Sequence, residues 1–400
     1  MKILVLSEVG STGEWVATER LLAAAKRVNP RAQFFLTGFS TSNRQPHKTF
    51  TKTTLLPLLS PGPPLSFFKQ IIGDLVRSRR AVKQLLFQAG PSDYIIVTHY
   101  LLALAIWNLR QLRNRPVIYY FHGLRSLDAL KLARSTLKQR ILYSLERLAL
   151  KQSTAIMVPS ASGATLVRRL LGASAGKPKI FVVPHFLPSV FFSPVTPRQT
   201  RILQEKLRLK DKEKIILYCG RVATRKGLEN LMISFASLAR RRPKLKLVMA
   251  TPAENMDQGL YNFLQQMIKY FNITGSVKWI WDLTPSERAG LYQLSLVAVL
   301  PSEFEVSSLF FLEALASGTP VIATRVGGME RILAKIDSKL VLTNNKPETI
   351  ASAIKQILAF PSGRITKLRS ACQDQARIYG ESLGVRRFLQ VLTRVSGSRL

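Results

Sequence analysis

The chain has 400 residues, of which 46% are hydrophobic, and this composition excludes a disordered protein. Its 59 Lys and Arg against 23 Asp and Glu give a formal net charge of +36, which attracts polyanions such as nucleic acid or the anionic face of a membrane. A host proteome that is basic throughout is the alternative explanation for the charge. The length provides for two domains of ordinary size, each with its own core.

Cysteine usage and hydropathy indicate the compartment. Cys219 and Cys372 are far apart and lack the spacing of metal ligands, which indicates a reducing environment without disulfide bonds. No apolar run approaches the roughly 18 residues that a membrane-spanning helix requires. The apolar opening is too short for the core of a signal peptide and is predicted to be a strand. We therefore predict a cytoplasmic protein, either free or peripheral on the inner face of the plasma membrane.

Apolar runs and helical segments alternate through the first half of the chain. The first run is followed by a glycine turn that ends at Gly13 and by a predicted helix, an arrangement whose amide groups suit a phosphate. The glycine spacing is not the dinucleotide-binding fingerprint. Strands are predicted at residues 3–6, 33–37, 94–98, 117–121, 155–158 and 181–183. The alternation predicts an α/β protein with a doubly wound parallel sheet.

Two basic helices are predicted in the same half, where residues 1–193 hold 27 Lys and Arg against 7 Asp and Glu. Residues 66–80 follow a proline-rich segment and combine an aromatic start with an amphipathic pattern, which suits an anionic membrane surface. Residues 130–152 offer a second helix of this kind. Surface helices that pack their apolar stripes on the sheet are the alternative for both.

His122 follows an apolar run and is expected at the carboxyl end of a strand. A histidine there can donate a hydrogen bond to a sugar or to a phosphate, and a core histidine is the alternative. In the second half, a predicted strand at residues 215–218 leads into a turn that contains Gly220, Arg221, Lys226 and Gly227. Cations and flexible backbone before a helix predict a diphosphate clamp, although the P-loop spacing is absent.

Residues 301–331 follow a buried apolar strand, and two of their carboxylates, Glu305 and Glu313, are separated by seven residues. Glu313 lies within an apolar segment, where a buried carboxylate is costly unless it is hydrogen-bonded. The solvent face of an amphipathic helix is the alternative position. Since open α/β sheets bind ligands at the carboxyl ends of their strands, we expect these residues to belong to a binding site.

The motifs of the second half of the chain resemble those of a known family. The residues that carry the resemblance occur in the family's order and are Gly220, Arg221, Val222, Lys226 and Gly227, then Pro301, Ser302, Glu305, Glu313, Ala314, Ala316, Gly318, Pro320 and Val321, then Val326, Gly327 and Gly328. This pattern is similar to that of the retaining glycosyltransferases of the group 1, or family 4, type with the GT-B fold. The first half agrees in architecture, with Gly13 and His122 at matching places.

The resemblance implies two Rossmann-like, doubly wound parallel-sheet domains that face each other across a cleft. We expect an acceptor-side domain at residues 1–193 and a nucleotide-sugar-binding domain at residues 194–379. A C-terminal helix at residues 380–400 is expected to cross back to the first domain.

The resemblance also implies roles for individual residues. Arg221 and Lys226 would neutralise the diphosphate leaving group, and His122 would contact the reacting sugar or the acceptor. Glu305 would bind hydroxyls of the transferred sugar, and Glu313 those of the ribose. The catalytic set is therefore His122, Arg221, Lys226 and Glu305. The donor-binding set is Gly13, Gly220, Arg221, Lys226, Glu305, Ser307, Ser308, Leu309, Glu313, Gly327 and Gly328.

The predicted function is a retaining, hexosyltransferase-like transfer of a sugar from a nucleotide-diphosphate sugar to a hydroxyl of a lipid-linked or cell-surface glycan. Neither a metal nor a cofactor beyond this co-substrate is expected. The family has Gly-Phe-Gly after the first glutamate, whereas Val306, Ser307 and Ser308 stand here. The alternative is therefore a weak or inactive GT-B protein that binds polyanions or membranes. Nucleic acid is not expected as a partner, because no RNA-binding aromatic motif is visible.

Overall fold

The computed structural model describes residues 1–9, 13–40, 49–57, 64–90, 92–107, 109, 112, 115–123, 137–172, 178–210, 213–254 and 256–396. The chain forms two compact units, one of Met1–Phe186 with Ser382–Leu400 and one of Leu187–Glu381. The predicted boundaries were residues 193 and 379. Residues 10–12 of the predicted glycine turn and residues 130–136 of the second basic helix lie outside the described part.

The first unit is built on a parallel sheet. Its strands in the described residues are β1 Lys2–Val9, β2 Gln33–Ser40, β3 Lys52–Pro57, β4 Tyr94–Val97, β5 Val117–Tyr120, β6 Ala155–Val158 and β7 Lys179–Val182. Their order is β3-β2-β1-β4-β5-β6-β7. Its helices in sequence are α1 Gly13–Val28, α2 Pro64–Ala89, α3 Tyr100–Ala105, α4 Leu137–Lys151 and α5 Ala161–Leu171.

The second unit repeats this design. Its strands in the described residues are β8 Lys214–Cys219, β9 Leu245–Thr251, β10 Val277–Trp281, β11 Val297–Leu300, β12 Val321–Thr324 and β13 Val341–Leu342, in the order β10-β9-β8-β11-β12-β13. Its helices are α6 Pro197–Lys206, α7 Leu228–Ala239, α8 Gln258–Tyr270, α9 Pro285–Leu294, α10 Leu309–Ala316, α11 Met329–Ile336, α12 Pro347–Leu358 and α13 Ser362–Ala376. Short 3₁₀ turns occupy Ser189–Phe191, Thr224–Lys226, Thr274–Ser276, Ser338–Leu340 and Arg377–Tyr379.

The sequence explains these sheets because their central strands are short runs of apolar residues, which suits parallel strands covered by helices on both faces. β4, β6, β11 and β12 are buried at every position. The last helix, α14 Glu381–Ser396, contributes apolar side chains to the core of the first unit. These are Val385, Phe388, Val391 and Leu392. The predicted doubly wound, parallel-sheet α/β architecture is confirmed in both units.

The predicted basic helix at residues 66–80 is part of the longer helix α2. Among the described residues, no helix combines the length and the apolar character needed to cross a bilayer.

Candidate functional site

The residues of the predicted diphosphate clamp follow β8, and those of the predicted carboxylate pair follow β11. These two strands are neighbours in the second sheet, and the strand order reverses between them. Such a topological switch point is where open α/β sheets bind ligands, outside the carboxyl ends of the strands. A backbone hydrogen bond from the Glu303 amide to the Arg225 carbonyl, at 2.8 Å, joins the two turns directly.

Gly227 makes the close approach of the two turns possible. Its φ of +66° lies in the left-handed region, and a Cβ at this position would lie 2.4 Å from the Pro301 carbonyl oxygen. Only glycine meets both conditions without strain. The turn therefore holds the Lys226 side chain directly beside the residues that follow β11.

Lys226 and Glu305 form an ion pair at the centre of this site. The distance from Lys226 Nζ to Glu305 Oε1 is 2.5 Å, and the two side chains are 12% and 10% exposed. The Ser302 hydroxyl donates to the same carboxylate oxygen at 3.1 Å. Burial lowers the pKa of Lys226, and the Glu305 carboxylate opposes this shift. Because an ammonium group has three donors, Lys226 can bind an anion while it keeps Glu305.

Arg221 is half-buried on the same turn. Its carbonyl oxygen accepts a hydrogen bond from the Tyr218 hydroxyl at 2.7 Å, which fixes the backbone just after β8. Its charge is close enough to contribute to the lowered pKa of Lys226. In the part of the chain that the structure describes, the Arg221 guanidinium forms no salt bridge. Arg221 and Lys226 therefore place two positive charges at one edge of the sheet.

Glu313 does not lie on a solvent face, because it is only 1% exposed. Both of its carboxylate oxygens accept hydrogen bonds from Arg288, from Nε at 3.0 Å and from Nη2 at 3.1 Å. The remaining Arg288 nitrogen donates to the Leu283 carbonyl at 2.9 Å, and the guanidinium lies 5.7 Å from the Phe191 ring centroid. Burial works against the charge of Arg288, but Glu313 outweighs it and raises the pKa of Arg288.

Arg288 was not predicted from the sequence as a site residue. Its helix begins with a capping box between Thr284 and Glu287, which signals a helix start rather than a site. A cation one turn into a helix that follows a strand was the available signal, but the sequence alone does not connect it to Glu313.

Part of the loop after Glu305 has a structural role. Ser308 is buried, and its hydroxyl accepts a hydrogen bond from the Phe311 amide at 3.3 Å, so it caps α10. Leu309 is buried as the first residue of that helix, while Ser307 is half-buried. The predicted donor contacts of these three residues stay predictions.

Gly327 and Gly328 precede α11, and both adopt positive φ angles, +65° and +83°. A Cβ on Gly327 would lie 3.0 Å from the Glu305 Cβ and 3.2 Å from its carbonyl oxygen. The glycine pair therefore belongs to the same edge of the sheet as Lys226 and Glu305. Gly220 lies directly after β8.

His122 and Gly13, the predicted residues of the first unit, lie after β5 and at the start of α1. His122 is half-buried, and its Nε2 lies 3.2 Å from the Thr18 hydroxyl oxygen. Its ring contacts Tyr120 at a centroid distance of 4.1 Å and stacks on His185 at 5.6 Å. Burial, and then the neighbouring His185, lowers the pKa of His122 well below its usual range.

The described residues contain no group of three or more His, Cys, Asp or Glu side chains suited to a metal ion. The second unit thus brings together Arg221, Lys226, Glu305 and the glycine pair, and it places Glu313 in a buried pair with Arg288. This arrangement of charges can neutralise an anionic group and, beside it, accept hydrogen bonds from hydroxyl groups.

Comparison with known proteins identifies the class. The family model for glycosyl transferases group 1 matches residues 199–378, and the model for the glycosyl transferase 4-like domain matches residues 15–185. The two models together cover most of the chain, one on each half. The chain therefore belongs to the group 1 glycosyltransferases, as its resemblance to this family predicted.

Individual relatives agree with this assignment. The chain is 28% identical over 302 residues to a D-inositol 3-phosphate glycosyltransferase of Corynebacterium urealyticum, covering 74% of this chain and 70% of the relative. It is 30% identical over 223 residues to an alpha-monoglucosyldiacylglycerol synthase of Streptococcus pneumoniae, covering 55% and 48%. Sucrose-phosphate synthase from Thermosynechococcus elongatus superposes with a TM-score of 0.83 at 21% identity, over 99% of both chains. The similarity to sucrose-phosphate synthase shows the fold of this chain, which is GT-B.

Proposed function

We propose that this glycosyltransferase transfers a sugar from a nucleotide-diphosphate sugar to an acceptor hydroxyl with retention of the anomeric configuration. The observation that carries the proposal is the Lys226–Glu305 pair at the switch point of the second sheet, with Arg221 on the same turn. The two cations can neutralise the charge of a diphosphate, and the carboxylate beside them can accept hydrogen bonds from the hydroxyls of the attached sugar.

In the proposed reaction, the bond from the anomeric carbon to the diphosphate oxygen breaks and a bond to the acceptor oxygen forms. If the acceptor attacks the face from which the diphosphate leaves, the acceptor proton can pass to the departing diphosphate oxygen. Arg221 and Lys226 would stabilise the negative charge that develops on this leaving group. The charge is met by residues of the chain, so we propose transfer without a metal.

Glu313 is proposed to bind the ribose, with Arg288 as its support. Arg288 donates one hydrogen bond to each carboxylate oxygen and so holds the carboxylate in a fixed orientation. Because the side chain is 1% exposed, ribose binding would need a local movement that uncovers these oxygens.

We propose a lipid-linked or cell-surface glycan acceptor, presented at the cytoplasmic face of a membrane. Helix α2 supports this part of the proposal. Its buried side includes Ala81, Val82 and Leu85, whereas its exposed side carries both apolar and basic residues. That exposed stripe consists of Lys69, Ile72, Val76, Arg80, Lys83 and Phe87. An apolar and cationic stripe of this kind suits the interface of an anionic bilayer.

The central experiment is a thermal-shift panel of nucleoside diphosphates and their sugars, because a specific ligand stabilises the fold by mass action. We expect one nucleotide series to raise the melting temperature of the native chain and to lose this effect in Lys226→Met. Lys355→Met, an exposed lysine on α12, is the control. An equal shift in the Lys226→Met variant would contradict the assigned role of Lys226.

The stereochemistry and metal requirement are tested with the donor that the panel selects. The configuration of the new glycosidic bond follows from the anomeric proton coupling of the isolated product, and an inverted product would contradict retention. Transfer in the presence of a chelator is expected to match transfer without it.

Membrane attachment is tested by sedimentation with vesicles that contain or lack anionic phospholipid. We expect the native chain to sediment with anionic vesicles at low salt, and the double variant Lys69→Glu/Lys83→Glu to remain in the supernatant. Lys355→Glu carries the same type of change on the second unit and should still sediment. Absence of binding at low salt would reject the membrane surface without affecting the proposed transfer.

A polyanion-binding protein that keeps the fold is the second candidate, favoured by the net charge of +36 and by the loss of both glycines after Glu305. It predicts a steeply salt-dependent affinity for nucleic acid and no stabilisation by any nucleotide sugar.

A further inference from the structure

Thr18 on helix α1 contacts the ring of His122. Thr18 is 1% exposed, and its hydroxyl lies 2.9 Å from the Glu14 carbonyl oxygen, one turn earlier. A carbonyl oxygen can only accept, so the single hydroxyl proton of Thr18 is used in that hydrogen bond. The same oxygen lies 3.2 Å from His122 Nε2, and it can only accept there. The proton between Thr18 and His122 is therefore carried by Nε2.

The other ring nitrogen is left as an acceptor. Burial, with His185 alongside, favours the neutral ring and lowers the pKa of His122. A neutral imidazole has one N–H, which is already placed on Nε2, so Nδ1 carries a lone pair. Within the residues that the structure describes, Nδ1 makes no hydrogen bond.

We propose that Thr18 is a positioning residue that holds His122 in the Nε2–H tautomer, so that Nδ1 is presented as an acceptor for a hydroxyl group. The sequence left open whether His122 donates to a sugar or to a phosphate. A lone pair accepts from a hydroxyl and is repelled by the unprotonated oxygens of a phosphate. The hydroxyl partner rests on the proposed function, whereas the tautomer does not depend on it.

The ring plane is fixed independently of the tautomer. Tyr120 packs on the ring at 49° and His185 lies nearly parallel to it at 8°. The Tyr120 hydroxyl lies 3.4 Å from His185 Nδ1, which links these two supports. A change at Thr18 that keeps its volume should therefore change the tautomer without turning the ring.

The tautomer is read from nitrogen chemical shifts of the full chain with labelled histidine, and a His122→Gln spectrum assigns the resonances. We expect the Nε2–H tautomer in the native chain and in Thr18→Ser. Thr18→Val has nearly the same shape but no acceptor, and should show a second population protonated on Nδ1. An Nδ1–H tautomer in the native chain, or an unchanged spectrum in a folded Thr18→Val, would overturn the proposal.

The partner of Nδ1 is tested by the affinities for UDP and UDP-glucose. We expect Thr18→Val to weaken the affinity for UDP-glucose in proportion to the Nε2–H population that it loses, about twofold if half is lost, and to leave the affinity for UDP unchanged. Thr18→Ser should restore the affinity. An equal loss for both nucleotides would overturn the hydroxyl assignment. If no nucleotide sugar of the thermal-shift panel binds the native chain, that result counts against the proposed function, while the nitrogen shifts still decide the role of Thr18.

Discussion

The carboxylate of Glu313 accepts two hydrogen bonds from the guanidinium of Arg288, although the residues are 25 positions apart in the sequence. Their side chains are 1% and 16% exposed, so the pair is almost completely removed from water. It joins α9 to α10, the helix that starts just beyond the Lys226–Glu305 pair. The contact between Arg288 and Glu313 therefore both supports the fold and orients Glu313.

Arg288→Leu is expected to lower the free energy of unfolding by about 3–5 kcal/mol, because it leaves the Glu313 charge buried and unpaired. The double variant Arg288→Leu/Glu313→Leu should recover most of this loss, since apolar residues of similar size often replace a buried ion pair at little cost. Arg201→Leu, which breaks an exposed pair with Glu205, is the control and should cost less than about 1 kcal/mol. Chemical denaturation measures all three, and a double variant as unstable as the single one would contradict this account.

The Lys226–Glu305 pair predicts opposite effects on two ligands. Lys226→Met removes a positive charge that binds the diphosphate. It should therefore lower the affinity for both the nucleoside diphosphate and the nucleotide sugar by at least about tenfold. Glu305→Gln removes a negative charge beside the same anion. It should therefore preserve or increase the affinity for the nucleoside diphosphate and lower only the affinity for the nucleotide sugar. Isothermal titration with both ligands measures the split. If Glu305→Gln instead loses affinity equally for the nucleoside diphosphate and for the nucleotide sugar, as Lys226→Met is expected to do, then Glu305 does not contact the sugar.

Gly227→Ala should destabilise the second unit by about 1–3 kcal/mol or more, because it forces a Cβ into a left-handed position. The added atom would also lie 2.4 Å from the Pro301 carbonyl oxygen. Gly363→Ala is the matched control, since a Cβ added there would have no neighbour within 4 Å and the position is helical. That substitution should be neutral or stabilising by about 0.4–1 kcal/mol. Equal unfolding midpoints for the two variants would show that the turn does not depend on Gly227.

Local signals explain what the sequence predicted correctly. Apolar runs that end near glycine or proline located β8 and β11, and charged residues after those runs located Arg221, Lys226 and Glu305 at the edge of one sheet. The helix predicted directly after the turn of Gly220 and Gly227 is α7, which begins at Leu228. In contrast, β3 and β13 have no long continuous apolar run, and neither strand was predicted.

Pairings between distant residues were not predictable, because a single sequence does not show which side chains meet. Lys226 and Glu305 were both assigned to the site, but their direct contact spans 79 positions. The contact between Thr18 and His122 spans 104 positions, and Thr18 carried no signal of its own inside α1. Helix α2 is a different case, because its pattern predicted an amphipathic surface without indicating what covers its exposed stripe.

His99 predicts how stability responds to acid. It is 5% exposed, and burial lowers its pKa to about 4. Its Nδ1 also accepts the Leu101 amide as the cap of α3, which requires an unprotonated nitrogen. Since the folded pKa lies below the unfolded value of about 6.5, the unfolded chain binds more protons as the pH falls. This histidine should therefore cost about 2 kcal/mol of stability between pH 7 and pH 5.

His99→Asn separates the titration from the cap, because asparagine is a good N-cap and does not titrate in this range. We expect this variant to have nearly the native unfolding free energy at pH 7 and to exceed the native value at pH 5 by about 2 kcal/mol. Denaturant titrations at the two pH values measure the difference. His99→Ala removes the cap as well and should be less stable than His99→Asn at both pH values. If His99→Asn loses as much stability on acidification as the native chain, the acid response arises from other buried histidines such as His185, whose pKa is lowered to about 3 by burial.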